Sequence, residues 1–133
     1  MKLSMQEIGL LNVLEGVTGA QGKDAVVVGG KIVFLVPKGE LGRAIGRGSE
    51  NIGLLERKVG KPVDVVEYSE EVGGFVRGLF APVQVESSEV RGGTIFVRFP
   101  AKDKGRAIGR GGEKAERARA LLQRYHKLKL KIL

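Results

Sequence analysis

Two stretches of this 133-residue chain carry residues whose type and order suit one chemistry, the holding of an anion. They are Ile45-Gly46-Arg47-Gly48-Ser49 and Ile108-Gly109-Arg110-Gly111-Gly112. Each lies between a short segment and a longer run with helical character, so each sits where one helix ends and another begins. Glycine at such a joint permits positive φ and leaves no Cβ in the path of an approaching ligand. The first N–H groups of the following helix have no intrahelical acceptor, and the helix dipole adds partial positive charge there. Together these make an anion site. Arg47 and Arg110 add a forked cationic donor to each loop, a geometry suited to phosphate oxygens. One such loop by itself could do no more than turn the chain. Two matching loops with matching flanks in a basic chain favour a ligand.

The loops belong to an internal repeat, which ranks above local structure as a guide to fold. Residues 42–48 read GRAIGRG and residues 105–111 read the same, an offset of 63. At that offset Gly29-Gly30 matches Gly92-Gly93, Ile32 matches Ile95, Pro37 matches Pro100 and Glu50 matches Glu113. The chain is therefore two copies of one unit, expected as residues 1–67 and 68–133.

The elements that must position the loops can be read in each copy. Val72, Phe75, Val76, Leu79 and Phe80 have amphipathic-helix spacing, and Leu10, Val13, Leu14 and Val17 repeat it less cleanly. AVVV and KIVFLV flank Gly29-Gly30, while VQVESSEV and TIFVRF flank Gly92-Gly93; both pairs predict a β-hairpin. Pro37 and Pro100 close the second strand. Short segments at Gly39–Ile45 and Asp103–Ile108 lead into the loops, and helices over about Ser49–Val59 and Gly112–His126 follow. PVDVVEY and KLKLKIL close the copies as strands. The order is helix, strand, strand, helix, helix, strand in both, an α+β class with a three-stranded sheet and helices on one face. With only about two residues near Tyr68-Ser69 between copies, the junction is too short to act as a flexible tether.

Composition narrows the partner. The formal charge is +8, and 12 basic residues face 3 acidic ones between Arg98 and Lys131. Residues 1–66 hold 9 basic and 7 acidic side chains, against 14 and 8 in residues 67–133. This excess favours a polyanion, nucleic acid before membrane. Cysteine is absent, which removes disulfides and thiolate metal sites; with one histidine, His126, a zinc site is not expected. The amino-terminal stretch has no signal-peptide pattern and no segment has membrane-spanning length, so a cytoplasmic location without membrane contact is the default. No acid, base, nucleophile or metal constellation points to an enzyme, and no cofactor is implied. GVTGAQGKD at 16–24 fails as a P-loop, because Val17 and Asp24 stand where glycine and Ser or Thr are needed.

AIGRGSENI and AIGRGGEKA resemble the I-G-x-x-G-x-x-I signature of KH domains, and the element order resembles the type II KH fold. GRAIGRGG is most similar to the KH pair of the NusA family of transcription elongation and termination factors. A chain of two KH units, with no segment resembling a polymerase-binding or S1 domain, resembles the archaeal members. The resemblance covers about Met5 to Leu133. It implies that Gly46-Arg47-Gly48-Ser49 and Gly109-Arg110-Gly111-Gly112 clamp single-stranded RNA, about four nucleotides each. It also implies apolar grooves beside them, formed by Ile45 and Ile52 in copy one and by Ile108 and Ala115 in copy two. Lys114 stands near enough to its loop to assist. RNA polymerase is a further partner implied by the family, and a monomer is expected. The alternative is a protein adaptor contacting RNA polymerase or the ribosome, with RNA binding secondary.

Copy one departs from the pattern at Ser49, which replaces a glycine and is placed to act as a helix N-cap. Copy two departs at Ala115, where a larger apolar residue would narrow the groove. Lys127, Lys129 and Lys131 alternate with Leu128, Leu130 and Ile132. That lysine face reads either as a solvated, protected edge or as extra phosphate contact. Arg117, Arg119 and Arg124 carry the same two readings, and His126 reads as a helix-terminal residue.

Overall fold

In the computed structural model, which describes residues 5–133, the chain divides into two compact units, Met1–Ser69 and Glu70–Leu133. The first holds α1 (Met5–Thr18), β1 (Asp24–Val28), β2 (Lys31–Val36), α2 (Leu41–Ile45), α3 (Glu50–Val59) and β3 (Val63–Glu67). The second holds α4 (Val72–Phe80), β4 (Ser87–Arg91), β5 (Thr94–Arg98), α5 (Lys104–Ile108), α6 (Glu113–His126) and β6 (Lys129–Ile132). The Tyr68 N–H still donates to Val36 O at 2.9 Å, which carries the first unit past residue 67.

Each unit has one three-stranded sheet, in the orders β1-β2-β3 and β4-β5-β6. The first two strands of each are antiparallel and the last two are parallel. Two-residue loops close both hairpins, Gly29-Gly30 between Val28 and Lys31 and Gly92-Gly93 between Arg91 and Thr94. Their φ values of 57° and 77°, and of 55° and 78°, are those of a type I′ turn, whose twist matches that of the strands. A parallel pair cannot be joined by a tight turn and needs a crossover connection. In each unit that crossover is a pair of helices, and the glycine loop lies at their joint.

The first strand of the second hairpin is shorter than VQVESSEV predicts. Its partner β5 stops at Arg98, short of Pro100, which lacks an N–H for the ladder. The Glu86 N–H to Arg98 O bond, 2.8 Å, lies at the end of the pairing, and the Val83 N–H turns back to Phe80 O at 2.9 Å. Residues 83–85 thus have no strand to pair with.

The repeat also changes phase inside the last helix. Val33 is opposite Asp64 on β3, whereas its counterpart Phe96 is opposite Lys131 on β6, so the final strands correspond at an offset of 67. The extra length lies in α6, with 14 residues against 10 in α3. Four residues are close to one helical turn, so the longer helix delivers its strand to the same place.

The first core gathers Leu14, Ala25, Ile32, Phe34, Val36, Ala44, Leu55 and Val63, with Leu10, Leu11, Val13 and Ile52 packed on its margin. The segment from 16 to 24 is a packed connection. Gly19 ends α1 at φ 74°, its N–H on Glu15 O, and a Cβ on Gly22 would stand 2.5 Å from Leu11 Cδ2. In the second core α4 contributes Phe75, Val76, Leu79 and Phe80, and α6 contributes Ala115, Ala118, Leu121 and Leu122. Phe80 meets Phe99 edge-on at 4.9 Å between centroids, and Phe75 meets the His126 ring at 5.0 Å. His126 is therefore a packing residue at its helix end.

Leu55, fully buried where α3 covers the first sheet, tests that packing. Leu55→Ala is expected to cost about 2–5 kcal/mol. Urea unfolding followed by circular dichroism would show the loss as a lowered midpoint with an unchanged slope.

Candidate nucleic-acid interface

The two loops have the same backbone to within about 20°, although their sequences diverge beyond the shared GRAIGRG. Gly46 has φ 78° and ψ 169°, and Gly109 has φ 83° and ψ 169°. This region is essentially restricted to glycine. Space reinforces the restriction. A Cβ on Gly46 would lie 2.8 Å from Asn51 Cγ and 3.1 Å from Asn51 N, and one on Gly109 would lie 3.0 Å from Lys114 N. The first glycine thus lets the loop close against the first turn of the next helix.

The later positions differ in kind. Gly48 and Gly111 have left-handed φ values of 60° and 62°, and a Cβ on either would meet nothing within 4 Å. Ser49 and Gly112 follow at φ 61° and 78°, also left-handed. Ser49 is therefore not the side-chain N-cap expected of it. A capping serine takes extended backbone so that its hydroxyl can reach the N2 or N3 N–H, whereas Ser49 is left-handed, exposed and makes no cap hydrogen bond.

The hydrogen bonds that hold each turn leave its tip out. In the first loop, the N–H groups of Gly46, Ser49 and Glu50 donate to Gly42 O, Gly46 O and Arg47 O. In the second, those of Gly109, Gly112 and Glu113 donate to Gly105 O, Gly109 O and Arg110 O. None of these bonds draws on the N–H of Arg47, Gly48, Arg110 or Gly111. All four residues are exposed. Two successive N–H groups at a positive-φ turn, with a guanidinium beside them, form the concave donor set that suits a phosphate.

The helices on either side are braced alike. Arg43 pairs with Glu40 at 3.6 Å and Arg106 with Asp103 at 3.3 Å, each one turn back along its helix. In the first unit Asn51 Nδ2 also donates to Arg43 O at 2.9 Å, tying α3 to the end of α2. Sequence reading missed Asn51; its place opposite the first glycine was the available signal.

Ile45, Ile52 and Ile108 are half-buried beside their loops, with part of each side chain still accessible. Ala115 is 2% exposed and belongs to the core, so it cannot line a groove. Lys114 does not join the loop cations. Its stem lies against Gly109, while its ammonium reaches Phe80 O at 3.5 Å and Ala81 O at 3.4 Å. Arg117 Nη2 donates to Leu79 O nearby. The carbonyl end of α4 offers acceptors with spare lone pairs and the negative end of the dipole, which holds both cations there. Among the described residues no group of three or more His, Asp and Glu could hold a metal, and no helix is long and apolar enough to cross a membrane.

A repeated helix–strand–strand–helix–helix–strand unit with a GxxG loop between its paired helices defines a tandem pair of type II KH domains. No family model matches the chain, but full-length similarity to known proteins is clear. The probable transcription termination protein NusA of Methanocaldococcus jannaschii is 33% identical over 138 residues, covering 100% of this chain and 75% of that protein. The protein of the same name from Methanococcus vannielii is 35% identical over 122 residues, covering 89% and 70%. That of Halococcus morrhuae is 33% identical over 129 residues, covering 93% of each. The crystal structure of APE1850 superposes with a TM-score of 0.88 at 36% identity, covering 98% of this chain and 100% of that one. This chain belongs to the NusA family of transcription termination proteins, in its archaeal form.

The two classes of glycine predict different costs. Gly48→Ala should lose about 1–2 kcal/mol through left-handed strain alone. Gly46→Ala adds a collision with Asn51 and should lose more, about 2–4 kcal/mol. Conversely, Ser49→Gly relieves a strained residue and should gain up to about 1 kcal/mol. Thermal or urea unfolding of the three variants checks the order.

Proposed function

We propose that the chain binds single-stranded RNA through both GxxG loops, and acts on nascent transcripts in elongation or termination alongside RNA polymerase. The observation that carries this reading is the coincidence of the two loops: both have an exposed tip with an arginine and two N–H groups outside the bonds that hold the turn, on the same backbone. A flexible polynucleotide can follow such loops because its phosphates rotate freely. A duplex fixes its phosphates and hides its bases, and so cannot lay unstacked bases against Ile45, Ile52 or Ile108. The family's role in transcription termination supports a transcript as the RNA.

Each clamp takes about four nucleotides, which gives a footprint of about eight or more for the pair. If about four to six phosphates are neutralised, log affinity should fall with log salt at a slope of about −3 to −4, from ~0.7 per phosphate on a single strand. Gly48→Asp with Gly111→Asp places a carboxylate at each open tip, and aspartate tolerates left-handed backbone better than most residues. Fluorescence anisotropy with a labelled RNA oligonucleotide should show most of the affinity gone while the circular dichroism spectrum is retained. Unchanged binding by the folded double variant would remove the loops from the mechanism. Retention of RNA polymerase from a nuclease-treated extract by that same variant would instead favour the adaptor role.

A further inference from the structure

The sheet of the second unit has two faces of opposite character. Along β5 burial alternates, with Ile95 and Val97 in the core and Thr94, Phe96 and Arg98 directed to the other side. The register places Glu89 across from Phe96, Arg91 across from Thr94 and Ser87 across from Arg98 on one flank. Lys129 and Lys131 lie across from Thr94 and Phe96 on the other. The face away from the core thus bears Arg91, Arg98, Lys129 and Lys131, all exposed, against a single carboxylate, Glu89.

The corresponding face of the first unit is built for something else. Val33 stands where Phe96 does, Leu35 where Arg98 does, and both are fully buried. Asp64 takes the place of Lys131 and pairs with Lys31 at 3.4 Å. One fold therefore carries a buried apolar face in one copy and an open cationic face in the other. Neither the core nor the hairpin turn requires cations at these positions. A solvated edge would be served by the lysines of β6 alone, but here the charge crosses all three strands.

The centre of the face is also organised. The Arg91 guanidinium lies over the Phe96 ring, 4.4 Å from its centroid, and its Nε faces Glu89 Oε1 at 3.6 Å. Ring and carboxylate hold the planar group and leave its Nη fork to meet phosphate oxygens or the face of a base. Lys129 and Lys131 are two residues apart on one strand, about 6.6 Å, which is of the order of the step between phosphates in an extended strand.

We infer that this outer sheet face, formed by Arg91, Phe96, Arg98, Lys129 and Lys131, is a second contact surface for single-stranded RNA, engaged by strand that extends beyond the GxxG loops. The identity of the ligand rests on the RNA reading above, but the surface is separate from the loops. It predicts that affinity grows with RNA length past the footprint of the two clamps.

The test compares mixed-sequence RNA of about 8 and about 24 nucleotides by anisotropy over a salt series. The full chain is measured beside Arg98→Gln/Lys129→Gln/Lys131→Gln, Arg91→Lys and the Gly48→Asp/Gly111→Asp loop variant. The triple variant removes only exposed side chains and should keep its thermal midpoint. It should bind the short RNA normally and the long RNA roughly tenfold more weakly, with a salt slope about 2 units shallower for three lost contacts at ~0.7 each. Arg91→Lys keeps the charge but loses the planar fork, and should weaken only the long RNA. Equal affinity and slope for the triple variant and the parent on the long RNA would overturn the inference. So would normal RNA binding coupled to loss of a protein partner from nuclease-treated extract. If the loop variant binds both RNAs like the parent, the clamp reading fails, while the length-dependent defect of the triple variant still decides the sheet face.

Discussion

The close approach of each loop's first glycine to the following helix underlies the remainder of the site. At Gly46 and Gly109 the chain must reverse between two helices with no room for a Cβ, because the amide and side-chain stem of Asn51 or Lys114 fill that space. The backbone this forces, with φ near 80° and ψ at 169°, swings the next residues outward. Two further left-handed residues then bring the chain back into α3 or α6. The exposed arginine and uncommitted amides at the tip follow from that closure, as do the flanking isoleucines that the joined helices hold in place. The same constraint divides the glycines into those that hold the turn and those that leave its approach open.

Sheet topology sets the loop's address. A parallel final pair of strands demands a crossover, and here two helices supply it. Their joint therefore falls at one end of each unit, away from the hairpin turns. Because the helices also cover the core, with Leu55 in one unit and Ala115, Ala118, Leu121 and Leu122 in the other, the loop stands on a packed base. A loop on such a base would lose less entropy on meeting a ligand than one on a free linker.

Duplication has preserved the loops and released what lies around them. The second unit has a helix one turn longer, a cationic pair at the carbonyl end of α4 and a basic outer sheet face. The first has Asn51 bracing its loop and an apolar face buried on the other side of its sheet. The charge imbalance between the two halves of the sequence thus has a structural location: part of it caps α4 through Lys114 and Arg117, and part lies on the sheet face.

The sequence by itself determined the repeat, the element order, both Gly-Gly hairpins and the position of the loops. These depend on local backbone preference and on hydrophobic period, which neighbouring residues encode. The strand KIVFLV needed no correction for that reason. Only the tertiary structure decided matters that turn on partners distant in sequence. VQVESSEV lost its first half because β5 ends before it, and the final strand shifted phase because α6 is longer. Ala115 went into the core and Lys114 went to the end of α4, since a side chain's neighbours in space are set by packing rather than by its own helix. Ser49 could not cap, because the turn that precedes it leaves only left-handed backbone there. The opposed faces of the second sheet likewise appear only once the register puts Lys131 beside Phe96.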